Sequence, residues 1–169
     1  AVGSFDKLPL DTELKMIDTN ITAVHMLTKL FLKDFVAADR GYIMNIASSA
    51  GLMYGGPMMA TYYASKAYVV SLTSAIYEEL RVRNSRVHVC AVCPGPVDTE
   101  FFAHSGELLG KSNKVTKVDP KAVARKALLD AVDRRCVSVY GTSMKVARIA
   151  GKLLPDVLSA YLMRKLNGI

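Results

Sequence analysis

Apolar side chains recur at helical spacing in some stretches of the chain and form short continuous runs in others. Residues 11–41 place apolar positions three and four apart, which predicts a long helix that ends at Gly41. Its predicted core-facing stripe consists of Ile17, Asn20, Val24, Leu27 and Phe31. A short buried strand, YIMNIAS, follows this helix. A second helix is predicted from about Thr61 to Arg83. Because it is apolar nearly all round before Glu78, we expect it to be buried on more than one side.

The second half of the chain repeats this alternation of strand and helix. The run RVHVCAVCPG is almost continuously apolar, as buried parallel strands are. A polar connection with a short helix from about Thr99 leads to Asp119, an N-cap residue, and to Pro120, which suits a first helical position. This helix is expected to reach about Arg134, and CVSVYG forms a last short strand. The order of elements predicts an α/β parallel sheet with right-handed crossovers.

The C-terminal tail predicts two short helices that are broken at Pro155. The first helix is amphipathic: Lys145, Arg148 and Lys152 lie on one face, and Val146, Ile149, Ala150 and Leu153 on the other. A basic amphipathic helix can lie on anionic lipid. Because amphipathic surface helices are common, a lid or a subunit contact is the favoured interpretation, and peripheral membrane contact through 143–169 is the alternative.

Composition narrows the class of protein. The chain has 169 residues, of which 51% are hydrophobic, and this suits one globular domain. Its formal net charge of +7 mildly favours an anionic ligand, but the charges are scattered and do not interleave with aromatic residues, so we expect no nucleic-acid binding. No apolar run approaches the roughly 18 residues that cross a bilayer.

Three cysteines, Cys90, Cys93 and Cys136, give an odd count without a signal peptide. This pattern indicates free thiols in a reducing compartment, and we expect a cytoplasmic protein. Cys90 and Cys93 have CxxC spacing, but no second CxxC and no nearby pair of histidines completes a zinc site. We therefore expect buried structural thiols and no metal.

One helix carries a candidate acid/base pair. Tyr62 and Lys66 are four residues apart and so share a face of the second helix. A phenol has a pKa of about 10, and a neighbouring ammonium group favours the phenolate and lowers that pKa. The pair suits general acid/base catalysis on a carbonyl/alcohol couple. A half-buried tyrosine beside a snorkelling lysine is the alternative interpretation.

Two further polar residues point to the same region. Ser48 follows the end of a predicted strand, where sites gather in open α/β sheets, and its hydroxyl can both donate and accept. Asn20 lies on the apolar stripe of the first helix, where its amide needs a partner, which the backbone can also provide.

The segments NIASSAG, YYASK and CPGPVDTEF, in this order and at these separations, resemble the short-chain dehydrogenase/reductase family over roughly residues 1–140. The resemblance implies a Rossmann-like doubly wound parallel sheet. It also implies hydride transfer between NAD(P)(H), with NADP weakly favoured, and a carbonyl or alcohol substrate. Residues 1–142 would then form the catalytic portion, and 143–169 a C-terminal helical extension.

The resemblance also assigns roles to individual residues. Tyr62 resembles the catalytic acid/base, and Lys66 the lysine that lowers its pKa and holds the nicotinamide ribose. Ser48 resembles the serine that positions the substrate oxygen, and Asn20 the asparagine of a water-mediated proton relay. Pro94, Gly95 and Val97 resemble the segment along the nicotinamide, and Thr99 resembles the hydroxyl that bonds the carboxamide or the diphosphate. Ser49, which would restore the commoner spacing to Tyr62, and Tyr63 are the alternatives.

No glycine-rich turn follows any predicted strand, although the resemblance calls for one to hold the cofactor's pyrophosphate at a helix N-terminus. We therefore expect an incomplete sheet that lacks the N-terminal βαβ units. The residues that either line an apolar substrate pocket or pack the core are Met53, Met58, Met59, Phe101 and Phe102. A homo-dimer or tetramer through helices 11–38 and 61–83 is expected. The alternative function is a non-catalytic fragment that acts only as an assembly module.

Overall fold

The computed structural model describes residues 2–97 and 118–166, which form a parallel sheet flanked by helices. The helices are α1 (Leu10–Ile17), α2 (Ala23–Ala37), α3 (Ala60–Val82), α4 (Pro120–Val132), α5 (Thr142–Leu153) and α6 (Asp156–Leu166). The strands are β1 (Tyr42–Ile46), β2 (His88–Cys93) and β3 (Val137–Val139). A π-helical segment (Asp18–Thr22) joins α1 to α2, and a short 3₁₀ helix (Ser49–Leu52) follows β1.

The described strands lie in the order β1-β2-β3, and both pairs are parallel. The central strand β2 is buried at every position, as its continuous apolar run predicts. Within the described residues, β1 pairs with β2 alone. Two residues of β1, Tyr42 and Ile46, are 54% and 57% exposed. The predicted fold class, an incomplete Rossmann-like α/β sheet, is confirmed. Within the described residues β1 is an edge strand whose second side is uncovered by any other strand.

Side chains of β2 alternate between two covered faces of the sheet. Val89, Ala91 and Cys93 face α2 and α3, where they pack with residues such as Val69. Cys90 faces the opposite side, which α4 covers. The two thiols of the CxxC spacing therefore point to opposite faces and cannot form a disulfide with each other, and both are free and buried. Burial raises the pKa of Cys90 to about 11 and that of Cys93 to about 12, as expected for inert structural thiols.

The first predicted helix is interrupted, and this makes part of its predicted stripe wrong. In the π-helical segment the Ala23 N–H reaches back five residues to the Asp18 carbonyl. A π-helical turn rotates everything that follows it relative to a continuous α-helix. Leu27 and Phe31 are consequently 55% and 52% exposed, and Thr28 is buried in their place.

The C-terminal elements agree with their sequence signals. Asp119 caps α4 by accepting a hydrogen bond from the Lys121 N–H at 3.1 Å, and Pro120 is the first helical residue. The break at Pro155 separates α5 from α6. The apolar face of α5 is not buried, however, since Val146 and Ile149 are 61% and 62% exposed. Among the helices that the structure describes, none has the length and apolar character needed to cross a membrane.

Candidate active site

Ser48 lies in a turn that is fixed to both neighbouring strands and to α3. The Ala47 N–H donates to the Val92 carbonyl, and the Ser49 N–H to the Pro94 carbonyl, each at 2.8 Å. The Ser48 Oγ accepts from the Ala50 N–H at 3.1 Å and so caps the 3₁₀ helix. These bonds hold the Ser48 hydroxyl at the carboxyl ends of β1 and β2.

Gly51 lets this turn approach α3 closely. A Cβ atom at residue 51 would lie 2.4 Å from the Lys66 carbonyl oxygen, a distance that no side chain tolerates. The glycine therefore allows the turn that carries Ser48 to touch the helix that carries Tyr62 and Lys66.

Tyr62 projects from the first turn of α3 towards Ser48. The two hydroxyl groups share a hydrogen bond. Burial raises the pKa of Tyr62 above its usual value, the Ser48 hydrogen bond opposes the rise, and the neighbouring Tyr63 adds to it. The net result is a phenol that keeps its proton at neutral pH.

Lys66 lies beside Tyr62 but does not control its pKa in this structure. The Lys66 Nζ donates to the Ile46 carbonyl at 3.1 Å and lies 5.9 Å from the centroid of the Tyr62 ring. Burial lowers the pKa of Lys66, and the nearby Cys93 opposes this. The predicted lowering of the Tyr62 pKa is therefore wrong, because the loss of water around the phenolate outweighs other effects.

Asn20 lies in the π-helical segment and contacts α3 through a serine. Its Nδ2 donates to the Ser65 Oγ at 3.1 Å, and the Ser65 hydroxyl donates to the Tyr62 carbonyl at 2.8 Å. The partner that an amide on an apolar stripe requires is thus a side chain and not the backbone alone. Asn20 joins the turn of α3 that lies between Tyr62 and Lys66.

The segment after β2 lies along the same strand ends. The Pro94 carbonyl accepts from Ser49, and Val97 forms a parallel bridge with Val118. Gly95 faces α5, where a Cβ atom would lie 3.3 Å from the Met144 side chain. Pro94 therefore adjoins the turn of Ser48, whereas the contacts of Gly95 and Val97 are with Met144 and Val118. Thr99, Phe101 and Phe102 lie outside the described residues.

The alternatives to Tyr62 and the predicted pocket residues have different surroundings. The ring of Tyr63 covers Gly56, where an added Cβ atom would come within 2.2 Å of it. Met59 is buried with 7% exposure and packs in the interior, whereas Met53 and Met58 are half-buried in the loop between Ser48 and Tyr62.

Three residues near the site were not predicted to lie there. Ser65 bonds Asn20, Cys93 lies near Lys66, and the buried Glu13 accepts from the Thr61 hydroxyl at 2.5 Å beside Tyr62. A signal for Ser65 was available, since Ser65 and Thr73 lie eight residues apart on a helix and thus on one face. Small hydroxyl residues on such a buried face indicate a polar partner on the facing element.

Comparison with known proteins identifies the family of the chain. Residues 1–108 match the family model described as short chain dehydrogenase. The Inactive 2-(S)-hydroxypropyl-CoM dehydrogenase 2 of Xanthobacter autotrophicus is 33% identical over 152 residues, which cover 90% of this chain and 60% of that protein. Estradiol 17-beta-dehydrogenase 11 of Macaca fascicularis is 26% identical over 154 residues, which cover 90% of this chain and 49% of that protein.

Solved structures show the same fold. A 7beta-hydroxysteroid dehydrogenase superposes with a TM-score of 0.81 at 20% identity, over 96% of this chain and 62% of that one. A short-chain dehydrogenase from Sphingobium yanoikuyae in complex with NADPH gives 0.75 at 23% identity, over 90% and 58%. The chain spans about half to three fifths of the length of the curated relatives that it matches over most of its own length. From the matched family model, the chain belongs to the short-chain dehydrogenase family.

Proposed function

We propose that the full-length protein is an NAD(P)(H)-dependent oxidoreductase that interconverts a carbonyl and an alcohol, with Tyr62 as the acid/base. The observation that carries this proposal is the hydrogen bond between the Tyr62 and Ser48 hydroxyls at the carboxyl ends of the strands. Membership of the family supports the reaction class.

The described residues suit the nicotinamide end of a dinucleotide. Lys66 is a half-buried lysine held at the end of β1 by the Ile46 carbonyl, and Pro94 at the end of β2 is bonded to Ser49. A bound nicotinamide would supply or accept the hydride. The uncovered side of β1 supports further βαβ units, which would hold the pyrophosphate at a helix N-terminus.

The chain's own groups then handle the proton and the substrate oxygen. The Ala50 N–H fixes the Ser48 oxygen, so the Ser48 hydroxyl can hydrogen-bond a carbonyl placed near Tyr62. Tyr62, whose pKa burial raises, is protonated at neutral pH as an ordinary phenol is, and it can donate its proton to the oxygen of a reduced carbonyl. Lys66, whose Nζ lies 5.9 Å from the centroid of the Tyr62 ring, would hold the ribose of the nicotinamide. Asn20, through Ser65, holds the turn of α3 that carries both groups.

The names of similar proteins support a cofactor and a substrate class. The similar structures include one with NADPH and one with NAD, which supports a nicotinamide cofactor of either kind. Relatives named as hydroxysteroid dehydrogenase and as 3-oxoacyl-[acyl-carrier-protein] reductase support an apolar carbonyl substrate. The half-buried Met53 and Met58 would border it.

An oligomer through helices 11–38 and 61–83 is the second part of the proposal. Four large apolar side chains of α2 are 52–60% exposed, and such a surface favours burial against another copy. They are Met26, Leu27, Leu30 and Phe31. Sedimentation of Leu27→Glu tests this: dissociation to monomers is expected, while an unchanged assembly would contradict it.

Turnover by the full-length protein tests the function. The assay offers NADPH or NADH with a panel of apolar ketones and aldehydes. Tyr62→Phe is expected to lower kcat by roughly 10²–10⁴-fold, the range of general acid–base catalysis, and Tyr63→Phe is the matched control with little effect. Equal activity of Tyr62→Phe and the wild-type protein would contradict the mechanism. No turnover by the wild-type protein would favour the assembly-only alternative, for which the word "Inactive" in one relative's name is a precedent.

The tail also admits a peripheral membrane contact through 143–169. The exposed Val146, Ile149 and Leu153 on α5, with Lys145 beside them, support it. Flotation of the full-length protein with anionic liposomes, with and without residues 143–169, tests this: equal flotation of the two would remove the proposal.

A further inference from the structure

A second concave surface lies away from the Ser48, Tyr62 and Lys66 cluster. It is a cleft of about 430 Å³ between α4, β3 and α5, along the edge of β3 that faces away from β2. Its lining residues are Lys126, Asp130, Arg135, Val137, Val139, Lys145, Arg148 and Ile149. It shares no lining residue with the candidate active site.

The two walls of the cleft differ in how their charges are balanced. On the α4 wall, the buried Asp130 carboxylate pairs with both Lys126 and Arg135, with the Arg135 Nε at 3.2 Å. These two cations therefore already have an anionic partner. Asp130 is also hydrogen-bonded by the Ser138 hydroxyl at 2.7 Å, which leaves it little capacity to accept from α5.

The α5 wall carries two cations without such a partner. Lys145 and Arg148 are three residues apart and thus share a face of the helix. Within residues 2–97 and 118–166, neither side chain makes a hydrogen bond or an ion pair. Arg148 is half-buried as a residue, and its charge has no anionic partner among the described residues. Two like charges on one helix face also repel each other.

An anion would provide this partner and reduce the repulsion. A guanidinium forms paired, charge-assisted hydrogen bonds with a carboxylate or phosphate, and a lysine three residues away adds a second cation. The remaining floor, made by Val137, Val139 and Ile149, is apolar and offers contact area for a hydrocarbon chain or ring.

We propose that this cleft binds an anionic amphiphile, with a phosphate or carboxylate held by Arg148 and Lys145 and an apolar chain lying on Val137, Val139 and Ile149. This ligand class is shared by free alkyl phosphates and by the head-group region of anionic lipids. The proposal does not depend on the proposed function.

Calorimetric titration of the full-length protein with hexyl phosphate tests the site. Hexanol and inorganic phosphate are the matched probes, because each offers one half of the recognised chemistry. Both are expected to bind roughly tenfold or more weakly than hexyl phosphate, since each lacks the other half's contribution. The double variant K145Q/R148Q is expected to weaken hexyl phosphate binding by a similar factor of roughly ten or more.

The control variant is K121Q/R125Q, which removes the same charge from exposed positions of α4 outside the cleft. It is expected to leave the affinity unchanged within about twofold. Unaltered thermal unfolding of both double variants shows that the fold is retained.

Flotation with phosphatidylglycerol vesicles separates the two sources of the ligand. Vesicle binding that K145Q/R148Q abolishes would identify a lipid head group as the source, whereas hexyl phosphate binding alone would identify a free ligand. The proposal is overturned if the protein binds neither hexyl phosphate nor the vesicles, or if hexanol binds as tightly as hexyl phosphate. It is also overturned if K145Q/R148Q and K121Q/R125Q have the same affinity for hexyl phosphate.

Discussion

The two faces of the sheet satisfy their buried polar groups by different means. On the α3 face, the Asn45 amide accepts from the Thr28 hydroxyl at 3.1 Å and donates to the Thr73 hydroxyl at 2.9 Å, so the groups are all neutral. On the α4 face, the Asp130 carboxylate is surrounded by cations and a hydroxyl. The comparison therefore contrasts a network of neutral side chains on the α3 face with a charged network around Asp130 on the α4 face.

The pKa values of the two faces illustrate the difference. Burial raises the pKa of Asp130, but the hydrogen bonds of Lys126 and Ser138 and the charges of Lys126 and Arg135 outweigh it, so the net pKa lies below the usual value. For Tyr62, burial dominates and the Ser48 hydrogen bond only reduces the rise. Burial thus acts in the same direction on both groups, but the net pKa of Asp130 is lowered and that of Tyr62 is raised.

The largest expected effect lies at the neutral cluster. Ser48→Ala removes the hydroxyl proposed to hold the substrate oxygen, and kcat of the full-length protein is expected to fall by about 10²–10³-fold, as when one donor to a developing oxyanion is lost. Steady-state kinetics measure this. Ser49→Ala is the matched control, since Ser49 contributes its backbone N–H to Pro94. A larger loss for Ser49→Ala would assign the role to Ser49.

Breaking the ionic cluster comes next. Asp130→Asn removes the charge that pairs Lys126 and Arg135, and hydrogen bonds to charged groups contribute about 1.5–3 kcal/mol each, so we expect a loss of about 2–3 kcal/mol in the free energy of unfolding. Urea denaturation measures it. Asp133→Asn, at an exposed position of the same helix end, should cost less than about 1 kcal/mol. Equal losses for the two variants would contradict the assigned network.

A smaller loss is expected where the neutral network is broken. The Thr73 hydroxyl accepts from Asn45 and donates to the Val69 carbonyl at 2.7 Å, so Thr73→Val leaves the buried Asn45 amide without this acceptor. We expect a cost of about 1–2 kcal/mol in the free energy of unfolding. Thr19→Val, whose hydroxyl bonds the Lys15 carbonyl on an exposed face, is the control.

Added salt should distinguish the charged network around Asp130 from the neutral network around Asn45. The cost of Asp130→Asn should shrink in about 1 M NaCl because its cationic partners are partly exposed, whereas the cost of Thr73→Val should not change. If both costs respond alike, the contrast between the two faces does not hold.

His88 gives the smallest expected effect. It is 1% exposed, and its Nε2 has no hydrogen-bond partner among the described residues. Burial lowers its pKa, the Arg134 charge adds to this, and a backbone hydrogen bond with Arg135 opposes it. The unfolded chain thus takes up the proton first, and stability falls as the pH drops below about 6.5.

Thermal unfolding of wild-type protein and His88→Phe between about pH 7 and pH 5 measures this contribution, which we expect to be below about 1 kcal/mol. His25→Phe is the matched control, since it removes an exposed imidazole. The prediction is wrong if His88→Phe keeps the full pH dependence of the wild-type protein.

The sequence predicts those parts of the molecule whose signals are local. The continuous apolar run of β2 and the Asp119-Pro120 start of α4 each contain enough information within a few residues, and both agree with the structure. The positions of Leu27 and Phe31 could not be predicted, because a π-helical segment leaves no clear mark on the spacing of apolar residues.

The proximity of Ser48, Tyr62 and Lys66 could be predicted from the sequence, but the electrostatics around Tyr62 could not. Spacing alone places Tyr62 and Lys66 on one face, and the strand end places Ser48 nearby. The direction in which the Tyr62 pKa shifts depends on how much water reaches the phenol. It also depends on the atom that Lys66 contacts, which is the Ile46 carbonyl oxygen. Both are set by tertiary packing.

The most direct test of the account is the ionisation of Tyr62 itself. Carbon-13 NMR of tyrosine-labelled full-length protein without cofactor, with the resonance assigned from Tyr62→Phe, reports the state of the hydroxyl. At about pH 10, where an ordinary tyrosine is half ionised, we expect Tyr62 to remain mainly protonated, and more so in Ser48→Ala. A Tyr62 that is mostly ionised at this pH, or that is indifferent to Ser48→Ala, would contradict the account.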